Sequence, residues 1–400
     1  MDITLSKSSL QGTVQVPASK SFAHRQLIAA ALADKPTTLI VSATSADIEA
    51  TATCIEALGA RVEKLSDESG FFITPAAAFP AEATLFCNES GSTLRFLLPV
   101  AAALGIQATF TGAGRLPQRP NKLLIDAMAP HGALATGDLL PLTLTGCLRG
   151  GLYEIAGNVS SQYITGLLLA LPLCEKESVI RFTTELESAA YLDITCDVLQ
   201  QFGISVTKTE NGYLIPGGQK YHSPGRVKTE GDWSSAVFWH AANRMGHFVS
   251  LQGLNDDSCQ GDRLVTWQLD HLGGRIDVSQ TPDSLPALAV AACAHPGTTF
   301  FTGAARLRIK ESDRLSAISN MLCALGQNVE EMQDGLIIHG GLPFKGGKVD
   351  GCNDHRIVMA AALAATLARE PVTISGAEAI NKSYPRFFED FALLGGKIHG

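Results

Sequence analysis

The sequence has few aromatic residues, few charges and no long uninterrupted apolar run. Aromatic side chains make up 6% of its 400 residues and charged side chains 18%, against 46% hydrophobic residues. No apolar stretch is long enough to span a bilayer, and the first residues lack the basic and then apolar pattern of a signal peptide. We therefore expect a compact globular protein of two or three domains, without a membrane segment.

Cysteine usage and net charge narrow the class of protein further. The nine cysteines are an odd number and include no Cys-x-x-Cys pair, so neither a disulfide framework nor a zinc site is indicated and a reducing cytosol fits best. A net charge of −8 disfavours a nucleic-acid partner, although a small anion can bind where the few lysines and arginines converge. Because the sequence has no dinucleotide fingerprint, Walker loop or metal-ligand motif, we expect no cofactor and no metal.

The sequence repeats one arrangement of helices about six times. In each unit a first helix opens at small or polar residues, and a second helix ends at a glycine suited to a C-cap. The first helices are expected at Ser19-Lys20-Ser21, Ser90-Gly91-Ser92, Ser160-Ser161, Ser234-Ser235, Asp283-Ser284 and Asp354-His355. The closing glycines are Gly59, Gly132, Gly203, Gly273, Gly326 and Gly395. Neighbours in this second series are 73, 71, 70, 53 and 69 residues apart, which indicates a period near 70 with one short unit.

Each unit is expected to have the order β-α-β-α-β-β. In the first we predict a hairpin over Leu5–Val16, helices over Phe22–Leu32 and Ala46–Leu58, and strands over Thr37–Val41 and Arg61–Lys64. The short unit lacks a strand, because Ile276-Asp277-Val278 runs almost directly into Asp283. The last unit ends at Gly395–Gly400 without its final strands, and we expect the N-terminal hairpin to supply them.

This arrangement predicts two α/β domains of three repeats each. One domain covers residues 18–229, and the other combines residues 1–17 with 230–400. We expect the active site in the cleft between them. Helix N-termini carry unpaired N–H groups and a partial positive charge, so six such ends can bind anions. A serine at any one of them is more simply an N-cap. The functional interpretation depends on the basic residues beside these caps, which are Lys20, Arg25, Arg95, Arg314, Arg356 and Lys382.

The most densely charged stretch is Arg308–Arg314, which joins a strand-like segment, Thr298–Phe301, to a helix-like segment, Leu315–Leu325. Charges of both signs at such a junction suit a site that holds anions and moves protons. The alternative is a solvated loop with surface ion pairs. A proline-rich loop, Gly112–Pro120, presents Arg115 and has the same alternative.

Together these motifs resemble those of the 5-enolpyruvylshikimate-3-phosphate (EPSP) synthases, within the enolpyruvyl transferases, over nearly the whole chain. The motifs are Ser19-Lys20-Ser21 with Arg25, Asn88–Arg95, Gly114–Pro120, Ser160-Ser161-Gln162, Gly231–Ala236, Asp283, Lys310–Arg314, Asp354-His355-Arg356 and Lys382–Pro385. The resemblance implies transfer of the enolpyruvyl group of phosphoenolpyruvate to the 5-hydroxyl of shikimate 3-phosphate, with release of phosphate, in the shikimate pathway. It also implies a two-domain inside-out α/β barrel that closes on its substrates.

The resemblance further implies roles for individual residues. Asp283 takes the proton of the 5-hydroxyl, Glu311 is the acid near the methylene carbon, and Lys20 shares in proton transfer. The residues expected to bind phosphoenolpyruvate are Lys20, Gly91, Arg115, Gln162, Arg314, Arg356 and Lys382. The residues expected to bind shikimate 3-phosphate are Ser21, Arg25, Ser160, Ser161, Gln162, Ser188, Tyr191, Asp283 and Lys310.

Several alternatives stay open at this point. Asp283 could be a helix N-cap, Glu311 could simply pair with Arg314, and Tyr191 could be a packing residue. Arg306 stands where many members of the family have Asn, which leaves the local contacts to shikimate 3-phosphate undecided.

Two rival functions remain. The sister enzyme that acts on UDP-N-acetylglucosamine typically carries Lys-Asn after the first hairpin and a reactive Cys in the arginine-proline loop. Here Lys20-Ser21 stands in the first place and the loop contains no Cys. A silent anion-binding homologue should have lost Asp283, Glu311 or Lys20. We expect a cytoplasmic monomer whose partners are the two small substrates, with no nucleic-acid or membrane partner.

Overall fold

The computed structural model of the protein describes residues 1–66 and 69–399. Twelve α-helices lie in these residues: α1 (Lys20–Ala31), α2 (Ala46–Ala57), α3 (Gly91–Ala103), α4 (Lys122–Met128), α5 (Ser161–Ala170), α6 (Ala189–Gln201), α7 (Trp233–Arg244), α8 (Val265–Asp270), α9 (Leu285–Ala294), α10 (Arg314–Ala324), α11 (His355–Ala365) and α12 (Phe387–Leu393).

Twenty-two strands lie in the same described residues. They are β1 (Asp2–Ser6), β2 (Gln11–Gln15), β3 (Thr37–Ile40), β4 (Arg61–Lys64), β5 (Gly70–Thr74), β6 (Glu82–Phe86), β7 (Gln107–Thr111), β8 (Ala133–Ala135), β9 (Leu142–Gly146), β10 (Leu152–Ile155), β11 (Ser178–Phe182), β12 (Thr207–Thr209), β13 (Gly212–Ile215), β14 (Arg226–Lys228), β15 (Phe248–Gln252), β16 (Arg275–Asp277), β17 (Gly297–Thr302), β18 (Asn328–Met332), β19 (Gly335–Gly340), β20 (Gly347–Asp350), β21 (Val372–Ser375) and β22 (Lys397–His399).

Contacts within the chain divide it into two compact units. Unit 1 combines Met1–Pro17 with Gly231–Gly400, and unit 2 is Ala18–Glu230. The division expected from the sequence, after residue 229, differs from this one by a single residue. None of the helices in the described residues is both long and apolar enough to cross a membrane.

Unit 2 contains three four-stranded sheets with one shared pattern. Their strand orders are β14-β3-β5-β4, β6-β7-β9-β8 and β10-β11-β13-β12. In each sheet the first two strands run parallel and the last two add antiparallel. The parallel pair needs a helical crossover, which α3 and α5 provide in the second and third repeats. The first repeat takes its parallel partner, β14, from the end of the unit.

Unit 1 follows the same pattern in two of its three sheets, ordered β16-β17-β19-β18 and β20-β21-β1-β22. The third sheet is the parallel pair β15-β2. Within the described chain this fourth repeat therefore lacks both antiparallel strands. The sequence analysis predicted one missing strand, and the structure lacks two. The side chain of Asn243 hydrogen-bonds the backbone of Val249 in β15 instead. Its carbonyl oxygen lies 2.7 Å from the amide nitrogen of Val249, and its amide nitrogen lies 2.8 Å from the carbonyl oxygen.

The predicted N-terminal hairpin is wrong. Strand β1 pairs with β21 and β22, whereas β2 pairs with β15, so each strand completes a sheet of a different repeat. Gly12, expected in the turn, lies inside β2. The last repeat also forms one of its own final strands, β22, which the sequence analysis left out. The turn residues between β1 and β2 favour a hairpin locally, but each strand instead pairs with strands far away in the chain.

The first helix of each repeat is buried. In unit 1, α7, α9 and α11 pack against one another, and every residue of α11 and all but the last of α9 are buried. A helix that is apolar on all sides is expected in such a position. In unit 2, α3 packs closely on α5, because a Cβ on Gly166 would lie only 2.2 Å from the carbonyl oxygen of Arg95. All six closing glycines have a positive φ, between +75° and +102°, as C-caps require.

Candidate active site

The start of α10 carries the most concentrated charge in unit 1. Asp313 caps this helix by accepting a hydrogen bond from the amide of Ser316 at 3.3 Å, which sets Arg314 in the first turn. A cation is unfavourable there against the helix dipole, and its guanidinium is 1% exposed. Three carboxylates compensate it. The guanidinium donates to Asp283 at 2.8 Å, Glu311 at 2.6 Å and Asp354 at 2.9 Å.

Burial opposes the positive charge of Arg314, but the carboxylates of Asp354, Glu311 and Asp283 outweigh it and raise the pKa of the guanidinium above its usual value. Arg314 is therefore a fixed cation in this site. For Lys310 the balance is reversed, since burial lowers the pKa of its ammonium despite the nearby carboxylates of Asp283 and Glu311.

Asp283 lies on a short 3-10 helix, Pro282–Ser284, directly before α9. One carboxylate oxygen accepts from Arg314, and the other accepts from Arg356 at 3.0 Å. The ammonium of Lys310 lies 3.5 Å from the first oxygen. The side chain is 17% exposed, so it is surrounded by cations and still reachable from solvent. These contacts are ionic, unlike those of an ordinary helix cap.

Asp354 is the fully buried hub beside this cluster. It caps α11 by accepting from the amide of Arg356 at 3.0 Å, accepts from the hydroxyl of Ser312 at 3.0 Å and pairs with Arg314. Lys382, expected at the site, donates to the carbonyl of Asn353 at 2.6 Å, in the turn before α11. Hydrogen bonds thus join Ser312, Arg314 and Arg356 to Asp354, and Lys382 bonds the residue directly before Asp354.

In unit 2, Lys20 is the first residue of α1. Its ammonium pairs with Asp47 at 2.9 Å, and both side chains are partly exposed. Gly91 is the first residue of α3, whose cap Ser90 accepts from the amide of Thr93 at 3.1 Å. A Cβ on Gly91 would lie 2.8 Å from the guanidinium of the buried Arg119, so glycine permits this cation to lie against the helix start.

Gln162, in the first turn of α5, is fixed from both sides. Its carbonyl oxygen accepts from Arg95 at 2.5 Å, and its amide donates to the hydroxyl of Ser92 at 2.9 Å. Arg95 also donates to Asn121 at 3.3 Å and lies over the ring of Tyr163, with 5.2 Å to the centroid. This buried arginine therefore sets the orientation of an amide that the sequence analysis assigned to phosphoenolpyruvate.

The serines expected to bind a phosphate lie at the starts of α5 and α6. Ser160 is the N-cap residue of α5, Ser161 is its first residue, and Ser188 precedes α6 in the left-handed region, with φ +54°. The loops before the two helices are joined by Thr184, whose hydroxyl accepts from the amide of Gly157 at 3.0 Å. Two helix starts of the same unit are thereby held together.

Four more predicted site residues, Ser21, Arg25, Arg115 and Tyr191, also lie in unit 2. Buried Arg25 donates to Thr195 at 2.8 Å, to the carbonyl of Ser21 at 2.6 Å and to the carbonyl of Tyr191 at 3.0 Å. Ser21 and Tyr191 therefore meet at this guanidinium. Arg115 is exposed in its loop, immediately before the short 3-10 helix Leu116–Gln118. Arg306, at the position where the family resemblance was weaker, donates to the carbonyl of Ser279 at 2.6 Å.

The structure thus joins Asp283, Lys310, Glu311, Arg314 and Arg356 in unit 1, and joins Gln162 to the start of α3 in unit 2. The sequence analysis named Arg95 only as a basic residue beside a helix cap, and assigned it to neither substrate. It gave no role to several buried or paired residues near the site: Asp47, Arg119, Asp262, Ser312 and Asp354. Asp354 and Arg95 carried a signal, since each stands at an expected helix start. Among the described residues, no group of three or more His, Cys, Asp or Glu side chains could hold a metal ion.

Comparison with known proteins bears on the whole chain. The family model for EPSP synthase (3-phosphoshikimate 1-carboxyvinyltransferase) matches residues 5–277 and 268–391. The two matches overlap at the shortened fourth repeat. The 3-phosphoshikimate 1-carboxyvinyltransferases of Clostridium kluyveri and Clostridium acetobutylicum are 41% and 39% identical to the chain, each over 99% of it and 98% of the relative.

Solved structures agree with these sequence matches. An EPSP synthase structure from Acinetobacter baumannii superposes with a TM-score of 0.82 at 25% identity, covering 100% of this chain and 99% of the other. The enolpyruvyl transferase NikO from Streptomyces tendae shares the fold, with a TM-score of 0.79 at 17% identity and coverage of 100% and 98%. The family match over residues 5–391 and the identity to curated members of the family show that the chain belongs to the EPSP synthase family.

Proposed function

We propose that the protein transfers the enolpyruvyl group of phosphoenolpyruvate to the 5-hydroxyl of shikimate 3-phosphate and releases inorganic phosphate. The observation that carries the proposal is the pair Arg314 and Arg356, which together hold the carboxylate of Asp283. Two guanidiniums that already grip one carboxylate offer the planar donors that the carboxylate of phosphoenolpyruvate needs.

The reaction adds the 5-hydroxyl oxygen to C2 of phosphoenolpyruvate while the methylene carbon gains a proton. Asp283 takes the hydroxyl proton, and Glu311 supplies the proton to the methylene carbon, with Lys20 sharing in the transfer. In the second half the methyl group loses a proton and the C2–O bond to phosphate breaks, which gives the enol ether. Lys310, Arg314 and Arg356 balance the negative charge that accumulates on this side.

Unit 2 binds the phosphates in this proposal. Ser160, Ser161 and Ser188, with Lys310 of unit 1, hold the phosphate of shikimate 3-phosphate. Gly91, Arg115 and Gln162, with Lys382 of unit 1, hold the phosphoenolpyruvate end. Supporting this are the helix starts at α3 and α5, which offer backbone N–H groups and a favourable dipole for anions. Ser21, Arg25 and Tyr191 position the rest of the shikimate ring.

The experiment is phosphate release measured with purified protein. We expect release when phosphoenolpyruvate and shikimate 3-phosphate are both present, and none when either is omitted. Replacing shikimate 3-phosphate by UDP-N-acetylglucosamine distinguishes the sister enzyme, which would release phosphate only with the nucleotide sugar. Binding of shikimate 3-phosphate in calorimetry without turnover would identify a silent homologue and overturn the proposal.

We also propose that the substrates bind in the cleft between the two units and that the units close on them. The chain passes between the units twice, after Pro17 and after Glu230, and two such connections suit a hinge. X-ray scattering should show a smaller radius of gyration with shikimate 3-phosphate than without it. An unchanged radius at saturating substrate would exclude closure. The forward-scattering intensity of the same samples gives the molecular mass, and we expect that of a monomer.

Finally, we propose a cytoplasmic location. The cysteine usage supports it, since nine cysteines in a protein of a reducing compartment need no disulfide partners. Fractionation of cells that produce the protein, followed by the phosphate-release assay on each fraction, would test this placement.

A further inference from the structure

Unit 1 contains another buried acid, Asp262, that the proposed reaction does not use. It lies on the short 3-10 helix Gly261–Leu264 before α8 and is 4% exposed. One of its carboxylate oxygens accepts a hydrogen bond from the hydroxyl of Ser234, and the other accepts from the hydroxyl of Ser284 at 3.0 Å. These serines lie at the starts of α7 and α9, so one carboxylate joins two helix N-termini.

Both serines lead directly to Asp283. Ser284 is the next residue along the chain. The carbonyl of Ser234 accepts from Arg356 at 3.2 Å, and the same nitrogen of Arg356 donates to the backbone carbonyl of Asp283 at 3.1 Å. Asp262 therefore fixes Ser284, which follows Asp283 in the chain. Through Ser234 it also fixes the guanidinium of Arg356, which contacts Asp283 from the other side.

The surroundings of Asp262 leave its charge finely balanced. Burial and then the neighbouring charge of Asp283 raise the pKa of Asp262 to about 6, against the opposing effects of Arg356, Ser234 and Ser284. The group is thus ionised at neutral pH and becomes protonated in mildly acidic solution. Two helix dipoles directed at it also favour the ionised form.

We propose that Asp262 is a positioning residue for Asp283, which it fixes through Ser284 and Ser234 and makes a stronger base through its negative charge. The inference rests on the proposed function, in which Asp283 takes the hydroxyl proton. A like charge beside a carboxylate stabilises the protonated form of that carboxylate, so the proton is held more strongly. A stronger base accepts the hydroxyl proton more readily in the transition state.

Other charged groups lie around Asp262 and Asp283, and the test must separate their effects on Asp283 from that of Asp262. Lys310, Arg314 and Arg356 face Asp283, and Glu311 and Asp354 reach it through Arg314. Arg263, on the same short helix as Asp262, donates to the carbonyl of Ser258 at 2.6 Å. All of these groups remain when only Asp262 is replaced.

The test compares kcat of the wild type with that of Asp262→Asn from about pH 5 to about pH 8.5. Above the pKa of Asp262 only the wild type carries the extra charge, and we expect its kcat to be about fivefold to tenfold higher. Below that pKa the ratio should fall toward one, because a protonated acid and an amide are both neutral and both offer a donor. The substrate phosphates titrate in both proteins, so their effect cancels in the ratio.

A ratio that stays constant with pH, whatever its size, would assign Asp262 a structural role only and overturn the inference. A wild type without enolpyruvyl transfer would instead overturn the proposed function, and the inference with it. Asp270→Asn, an exposed acid on the adjacent α8, removes the same charge and should give a ratio near one at every pH.

If Asp262→Asn does not fold, as judged by circular dichroism, Ser284→Ala serves in its place. This change removes a donor that lowers the pKa of Asp262. The pH at which kcat falls on the acid side should then rise by about half a unit. If the pH at which kcat falls on the acid side is the same in Ser284→Ala as in the wild type, the inference is overturned. This outcome is equivalent to a kcat ratio for Asp262→Asn that does not change with pH.

Discussion

The two units hold their buried arginines in different ways. In unit 1, Arg314 donates to three carboxylates. In unit 2, Arg25 donates to hydroxyls and backbone carbonyls, and its guanidinium lies 4.8 Å from the ring centroid of Phe96. Arg95 follows the same pattern, with Asn121, Gln162 and the ring of Tyr163 as partners.

These different partners of the buried arginines suit the two units, which share a repeated fold, to different chemistry. Carboxylates cancel the charge of a guanidinium and can themselves exchange protons, whereas neutral acceptors position a guanidinium without cancelling its charge. Unit 1 is therefore suited to proton transfer beside fixed cations. Unit 2 is suited to attract and orient anions.

The largest effect expected from this comparison is on Asp283. Asp283→Asn keeps the shape of the side chain but removes the base, and we expect kcat to fall by roughly 10²- to 10⁴-fold. Steady-state phosphate release measures it, with calorimetry showing whether shikimate 3-phosphate still binds. Asp256→Asn, an exposed acid of the same unit, is the control and should keep wild-type kcat. Near wild-type turnover in Asp283→Asn would remove the proton-transfer role of unit 1.

Glu311 gives the next largest effect. Glu311→Gln should lower kcat by about 10²-fold, since a general acid is lost. The alternative is that Glu311 serves only to pair with Arg314, which it contacts at 2.6 Å. Incorporation of deuterium from the solvent into the methylene group of the product separates the two, because only the acid role makes this incorporation slow. Glu330→Gln, on the exposed strand β18, provides the matched control.

Part of the fold and of the candidate site could be predicted from the sequence. The period of about 70 residues predicted the repeated helices, because small N-cap residues and closing glycines act locally. The charged stretch Lys310–Arg314 was visible as a motif for the same reason. The N-terminal strands were expected to complete the last repeat, and β1 does so by pairing with β21 and β22. The pairing of β2 with β15 was missed, since strand partners far apart in the chain leave no local pattern.

The buried acids that pair with the site residues could not be predicted from the sequence either. Asp354 was visible only as a helix start, although it is the buried partner of Arg314. Asp262 and Asp47 stood in no recognised pattern. An acid becomes a site residue through the groups that the fold places beside it. Asp262 lies near Asp283 because it accepts a hydrogen bond from Ser284, the next residue after Asp283. The roles of the predicted site residues stay predictions until the variants are measured.

Lys20 tests the anion-binding half of the comparison. Lys20→Met retains much of the aliphatic length but loses the ammonium, and we expect KM for phosphoenolpyruvate to rise about 10- to 100-fold, the scale of a lost hydrogen bond to a charged group. Initial rates at varied phosphoenolpyruvate measure it. Lys35→Met, at an exposed position of the same unit, should leave KM unchanged. A KM unaffected by Lys20→Met would mean that the ammonium does not bind phosphoenolpyruvate.

A smaller effect is expected at the serines. Ser161→Ala removes one neutral donor from the start of α5 while the backbone N–H groups remain. The dissociation constant of shikimate 3-phosphate should therefore rise only about fivefold, in line with about 1 kcal/mol for a neutral hydrogen bond. Calorimetry measures the constant, and Ser250→Ala, on the exposed face of β15, is the control. A change as large as that expected for Lys20→Met would contradict the idea that unit 2 divides the task among many weak donors.

The last effect is on the stability of unit 2 rather than on turnover or binding, and it depends on a neutral histidine. His24 is buried and within 2.6 Å of the hydroxyl of Thr51, which lies 2.7 Å from that of Thr93. Burial, then Lys20 and Arg25, lower the pKa of His24 well below its ordinary value of 6.5.

Because the unfolded chain binds a proton at His24 near pH 6.5 and the folded chain does not, acidification favours unfolding. The free energy of unfolding should therefore fall as the pH drops through 6.5, by up to about 1.4 kcal/mol per pH unit from this group. In His24→Asn that contribution disappears, while half-buried His240 and buried His247 titrate alike in both proteins and cancel in the difference. Urea unfolding at several pH values measures the two slopes. Equal slopes would show that His24 gains its proton without unfolding, so that the polar chain from His24 to Thr93 tolerates a charge that we expect it to reject.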